Sequence, residues 1–231
     1  MNSNLQLLSS SLDKTIKESD LTEANIDLSE VLIDSFLEDG IAKDIPILGT
    51  IIKLSKFSIN LKDHLFLKKI VYFLSNLKDV PVEKRNRMIL KIDDSKTNRI
   101  KVGEKLIYII DKCEDHIIVE YISKFFKAFL LEKITYSEFL RCSSIVQNIF
   151  IEDFEYFINC ENLHKYLSGG DYFSDTEVNI INSGLCHKEI GTVGMRYQSN
   201  SEEDIDKYIA EGVKESMYLT EIGKKIKDIL K

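Results

Sequence analysis

The side chains best suited to metal chemistry are four cysteines and four histidines, and their spacing argues against a metal. Cys160 and His164 lie four apart, on one face if their segment is helical, and Cys186-His187 is the neighbourhood that could meet them. Closed zinc sites draw their ligands from tighter pairs, so the default reading is buried thiols and surface imidazoles. Cys113, Cys142, Cys160 and Cys186 contain no C-x-x-C pair. The opening Met1-Asn2-Ser3-Asn4-Leu5-Gln6 lacks the basic and apolar regions of a secretion signal, so free thiols and a cytoplasmic setting are expected. Asp93, Ser95, Thr97 and Glu104 match positions 1, 3, 5 and 12 of a calcium loop. Asn98 stands where that loop needs Gly, and Arg99 and Lys101 add positive charge, so no metal and no cofactor are expected there.

Enzymatic constellations are missing. There is no phosphate-cradling glycine loop ending in Lys-Ser/Thr, no H-E-x-x-H and no serine elbow. Gly169-Gly170 and Gly191-x-x-Gly194 read as turn glycines. Carboxylates are plentiful, but nothing sets two of them into an acid/base pair. A non-enzymatic protein is expected, one that works through a protein partner or as a homo-oligomer.

Charge supplies the next signal. The net charge is −7, from 31 Lys+Arg and 38 Asp+Glu, which opposes a surface coated in nucleic acid. Its distribution is uneven. Residues 1–40 carry 2 basic against 9 acidic side chains, residues 41–105 carry 15 against 7, and residues 106–231 carry 14 against 22. The basic middle offers Lys68, Lys69, Lys84, Arg85 and Arg87 as contacts for nucleic acid or an acidic partner. The interleaved Phe57, Phe66, Tyr72 and Phe73 have helical spacing and read as core rather than as base-stacking platforms. Three readings of the lysines stay open: a solvated face, a dock for the acidic arm or an acidic partner, and an anionic membrane or nucleic-acid surface. If the arm masks the patch, deleting residues 1–27 should strengthen anion binding.

The elements that must position these residues follow from periodicity. Residues 1–27 read as a flexible acidic arm with one short helix near Leu12–Lys17. Amphipathic helices are expected over 28–37, 46–60, 63–77, 82–92, 100–113 and 117–131, with Pro46 and Pro81 at helix starts. The apolar stripe of 46–60 also suits a peripheral membrane helix, although core packing is the plainer reading. Thr135-Tyr136-Ser137-Glu138 fits a capping box, and Phe154, Phe157 and Ile158 mark a further helix. Ser174-Asp175-Thr176-Glu177 is a second capping box, opening a short helix that Gly184 can close. Strands are expected over 185–190 and 215–220, a short helix over 203–210 and a last helix over 221–230 capped by Thr220.

Helix, strand, long wing, strand and helix is the pattern of a winged-helix unit. Ser183-Gly184-Leu185 and Tyr218-Leu219-Thr220-Glu221-Ile222-Gly223 resemble the "GLI"-like turn and the "Y-x-LT-x-x-G" wing closure of many bacterial winged-helix domains. A DNA-reading unit of that kind would use the helix 174–183, yet only Asn179 and Asn182 there can read a base, and Arg196 stands in an otherwise acidic wing. DNA binding by this unit is therefore disfavoured. The layout also resembles the bacterial abortive-infection alpha (Abi-alpha) type, through Phe154-Glu155-Tyr156-Phe157 and the late Leu-Thr-x-x-Gly turn. That resemblance implies a role in conflict with phage and carries over no catalytic residue.

The expected fold is mainly α: a helical bundle over 28–150, then a small winged-helix-like unit with a β-hairpin over 151–231. The expected function is that of a bacterial interaction or regulatory protein, an adaptor or sensor in phage defence. The alternatives are a winged-helix DNA-binding regulator and a peripheral membrane effector.

Overall fold

The N-terminal residues hide an apolar stripe, Leu5, Leu8, Leu12 and Ile16, beneath a serine-rich polar face. That spacing makes helix α1 (Ser3–Glu18), in which Leu12, Thr15 and Ile16 are buried. The computed structural model describes residues 3–21, 45–55, 61–95, 100–163, 165–167, 172–192, 194–198, 207–211 and 214–231. Within them the expected loose arm is corrected over residues 3–21, because α1 is part of the core and Leu21 is fully buried. The helix expected over 28–37 lies outside the described residues.

The chain divides into two compact units, Met1–Gln147 and Asn148–Lys231. The first is helical: α1, then α2 (Pro46–Leu54), α3 (Leu61–Ser75), α4 (Val82–Asp93), α5 (Val102–Lys112), α6 (His116–Leu130) and α7 (Tyr136–Asn148). Helix α1 packs on α2, α4 and α5, while α3 packs on α6. Pro46 opens α2, whose Ile47, Leu48 and Ile51 are buried in the core, so this part of the stripe offered for a membrane surface is spent on packing; residues 56–60 of the expected helix lie outside the described residues. No helix among the described residues is long and apolar enough to cross a membrane.

Aromatic rings fill the centre of this unit. Phe126 lies 5.5 Å from Phe73 and 5.2 Å from Phe139, and Phe129 lies 5.3 Å from Tyr136. Burying such rings contributes about 2–3 kcal/mol each, plus about 1 kcal/mol for each offset or edge-on pair. Burial pushes the Tyr136 hydroxyl up to about 12. Phe73 is therefore core, as its spacing predicts, while Phe66 and Tyr72 are half-buried and Phe57 lies outside the described residues.

The second unit contains α8 (Ile151–Asn159), β1 (Lys165–Leu167), α9 (Asp175–Asn182), β2 (Cys186–Ile190), β3 (Gly194–Gln198), β4 (Lys207–Glu211), β5 (Glu215–Leu219) and α10 (Glu221–Leu230). An antiparallel sheet runs β1–β5–β2, and β3 pairs with β4 in a separate hairpin. The register places Cys186 opposite Leu219, Ile190 opposite Glu215 and Lys165 opposite Met217. Two expectations change here. Residues 207–210 are strand rather than helix, because Tyr208 and Ile209 pair with Tyr197 and Arg196 across the hairpin. The three-residue strand β1 has too short a pattern to be read from sequence.

The ends of α9 and α10 explain the motif residues around them. Ser174 and Glu177 complete a capping box, with the Glu177 amide donating to Ser174 Oγ at 3.3 Å and the Ser174 amide to Glu177 Oε2 at 2.8 Å. Gly184, at φ +84°, ends α9, with its amide donating to Ile181 and that of Leu185 to Ile180. These are the paired bonds of a left-handed glycine cap. The Thr220 hydroxyl lies 2.8 Å from the Gly184 carbonyl oxygen and 3.0 Å from that of Leu185, and it accepts the Gly223 amide at 3.0 Å. A Cβ on Gly223 would overlap the Leu185 carbonyl oxygen. The Leu-Thr-x-x-Gly sequence is thus a clamp joining the end of α9 to the start of α10.

Candidate interaction surfaces

Most of the basic residues singled out in the first unit have internal work. Arg85 is 1% exposed. Its Nε donates to Val80 O at 3.0 Å, and Nη1 and Nη2 donate to Ile16 O at 2.7 Å and Ser19 O at 2.8 Å. Burial lowers its pKa and nearby Asp20 and Glu83 oppose that, but the guanidinium stays charged and satisfies carbonyls at the end of α1. Arg85 is therefore corrected from a surface contact to a buried brace.

Lys69 bonds the Cys113 carbonyl just past the end of α5, and Lys68 lies over the Tyr72 ring at 5.9 Å. Exposed Arg87 pairs with Glu132 at 2.9 Å. Lys84 is half-buried on α4. The segment that reads as a basic patch is therefore partly spent on helix caps and ion pairs. The whole first unit is neutral, with 22 Lys+Arg against 22 Asp+Glu.

Helix α1 also shapes the fate of Asp93. Its Oδ1 accepts the Val102 amide at 2.8 Å, at the start of α5, and its Oδ2 lies 3.3 Å from Lys17 Nζ. Lys17 also pairs with Asp13 at 2.8 Å. Burial opposes the charge on Lys17, but the two carboxylates win and hold its pKa above the ordinary lysine value. Asp93 is thus a helix cap and an ion-pair member, and Thr97 of the calcium-loop frame lies outside the described residues.

In the second unit the geometry converges on α8 and α9. Asp153 of α8, 6% exposed, accepts from Thr176 Oγ1 and from Asn179 Nδ2, each at 2.7 Å. This knot fastens the two helices, so Asn179, expected to read a base, has its amide committed to Asp153. Sequence spacing did not single out Asp153, which reads as one more acid on a helix. Buried Glu177 accepts Lys165 from β1 at 2.8 Å. Burial raises the Glu177 pKa, but the bonds from Lys165 and Ser174 outweigh it and hold the carboxyl below its ordinary range.

What α9 leaves outward is Asp175, Val178, Asn179 and Asn182, preceded by Tyr172, which is 85% exposed. Spacing of three and four residues places them along one face. Arg196 belongs to β3, opposite Ile209; its side chain lies outside the described residues. This unit carries 9 Lys+Arg against 16 Asp+Glu, so the entire −7 of the chain resides in it.

The cysteines are all free. Cys160 Sγ donates to Asn162 O at 3.4 Å, and buried Cys186 has its thiol pushed up to about 11 by burial. His187 stacks on Tyr218 at 5.7 Å, while His164 lies outside the described residues. Among the described residues no group of three metal-ligating side chains comes together. Lys227, 7% exposed, bonds the Cys160 carbonyl and lies over the Phe157 ring at 5.0 Å. Burial, and then Lys231, lower its pKa.

Compared with known protein families, with curated proteins and with solved structures, the chain matches none.

Proposed function

We propose that this chain is a non-enzymatic bacterial interaction or regulatory protein, an adaptor or sensor in phage defence, whose acidic second unit engages a protein partner. One observation carries the reading. The outward face of α9 shows Asp175, Val178, Asn182 and Asn179, the last with its amide held by Asp153, in a unit that holds the whole net charge of −7. The order α9, β2, β3–β4 hairpin, β5, α10 supports a winged-helix-like unit, and α9 is then the helix that would enter a DNA groove. Phosphate neutralisation dominates nucleic-acid affinity, so a helix without Lys or Arg suits a polypeptide surface better. Exposed Tyr172 and Val178 supply the aromatic and aliphatic area that protein interfaces favour. The phage-defence part rests on the Abi-alpha resemblance alone.

The test is a photo-crosslinking side chain at Val178, compared with one at Lys91 on α4, in bacteria before and during phage challenge. A discrete protein adduct from position 178, weakened by Asp175→Lys, is the expected result. Overturning results are nucleotide hydrolysis by the purified chain, or duplex-DNA binding at low salt that Asn182→Ala weakens.

A further inference from the structure

Helix α5 buries its apolar face and leaves a basic stripe on the opposite one. Lys101, Tyr108 and Lys112 are exposed there and Lys105 is half-buried, with Tyr108 a large ring left 41% exposed. Spacings of four, three and four residues bring these four within about 60° of one another around the helix, over about 16 Å of its length. Among the described residues, none of the four side chains is hydrogen-bonded or ion-paired. They are the part of the basic segment that the fold does not spend.

The nearby acids do not cancel the stripe. Asp93, at the head of α5, is taken by the Val102 amide and by Lys17. Glu104 and Asp111 lie along one margin, and the helical period sets Tyr108 between them and the three lysines. The occupant must therefore carry negative charge on the lysine side and offer a flat surface to the ring. Lysine is depleted where proteins meet proteins, whereas its ammonium is a common phosphate contact. Aromatic rings beside a basic track are what single strands stack their bases on.

We propose that this face of α5 binds a single-stranded nucleic acid, with Lys101, Lys105 and Lys112 following the phosphates and Tyr108 stacking one base. The length of the stripe suits about four nucleotides. The site belongs to the neutral first unit, so the net charge of −7, which resides in the second, does not argue against it. It is separate from the contact proposed for α9 and does not depend on it. Nothing in the stripe reads a base edge, so binding is indifferent to sequence. A duplex binds less well, because its bases are stacked on one another and closed to Tyr108.

Fluorescence anisotropy of a labelled oligothymidylate, titrated with the full chain from about 20 to about 200 mM salt, tests the site. The wild type should bind with a dissociation constant of about 10–100 μM at the lowest salt, and log K should fall against log salt with a slope of about −2 for three phosphates. Tyr108→Ala should weaken binding about tenfold or more and leave the slope unchanged, while Tyr108→Phe should stay within about twofold. Lys105→Gln combined with Lys112→Gln should weaken it about tenfold and make the slope shallower by about 1.4. Lys53→Gln, an exposed lysine of α2, and Asn182→Ala on α9 should stay within about twofold of wild type. All of these changes are at outward or half-buried positions, so circular dichroism should remain native. A wild type that does not bind at the lowest salt overturns the proposal. So does binding indifferent to Tyr108→Ala, or a duplex of the same length bound as tightly as the single strand. An oligoglutamate of equal charge that displaces the strand as well as unlabelled oligothymidylate does would make an acidic polypeptide the occupant, and overturns it too.

Discussion

The Nη1 nitrogen of Arg85 donates to the carbonyl oxygen of Ile16 at 2.7 Å, across 69 residues of sequence. It ties the end of α1 to α4 and makes the N-terminal helix part of the bundle rather than an appendage. Arg85→Ala should destabilise the first unit by about 3–4 kcal/mol, since the Ile16 and Val80 carbonyls would lose their donor in the interior. Arg85→Lys should recover less than half, because an ammonium cannot reproduce the fork of donors. Urea unfolding followed by circular dichroism measures both. Deleting residues 1–27 should likewise cost stability rather than unmask a basic patch, because it strips Leu12 and Ile16 from the core.

Gly223 is the point where α10 starts beneath the Leu185 carbonyl. Gly223→Ala should destabilise the second unit by about 2–3 kcal/mol, because a Cβ there meets main chain that cannot swing aside. Thr220→Val, which removes the hydroxyl but keeps the shape, should cost about 1–2 kcal/mol through the lost cap. Thermal unfolding of each variant checks the order, with the glycine variant the weaker of the two.

Asn179 and Asn182 lie three apart on α9 but should respond differently. Asn179→Ala removes a 2.7 Å bond to buried Asp153 and should cost about 1–2 kcal/mol. Asn182→Ala changes an exposed position and should stay within about 0.5 kcal/mol. Equal and negligible effects in a denaturant titration would contradict the knot between α8 and α9.

Acid should loosen the second unit through Glu177. Its folded pKa lies below the ordinary 4.5, so the carboxylate contributes stability above that value and loses it as pH falls through the lowered one. Glu177→Gln should therefore lower the melting temperature near pH 7. The gap between variant and wild type should close progressively below about pH 4.5. A gap that persists undiminished at pH 2 would show that the charge is not its source.

Much of the secondary structure is legible in the chain because local chemistry decides it. Pro46 and Pro81 mark helix starts, Thr135/Glu138 and Ser174/Glu177 form capping boxes, and Gly184 adopts the φ that a Cβ disfavours. The Thr220 cap of the last helix is legible for the same reason, since Thr220 and Gly223 are a turn apart, whereas the bonds from Thr220 to Gly184 and Leu185 are set by the fold. Composition likewise locates an aromatic core, because rings at helical spacing have little choice but to face inward.

Tertiary structure alone decided which charges are free. A lysine or arginine in sequence carries no mark of whether its partner is water, a carboxylate or a carbonyl from a distant helix. Arg85 reads as surface until α1 arrives over it, and Asn179 reads as a base reader until Asp153 approaches from α8. The same limit made residues 3–18 look like a loose arm: their polar face dominates the composition, and the stripe that buries them gains its partners only when α2, α4 and α5 close around it. Long-range hydrogen bonds are set by which backbones meet, and that is a property of the packed chain rather than of any window along it.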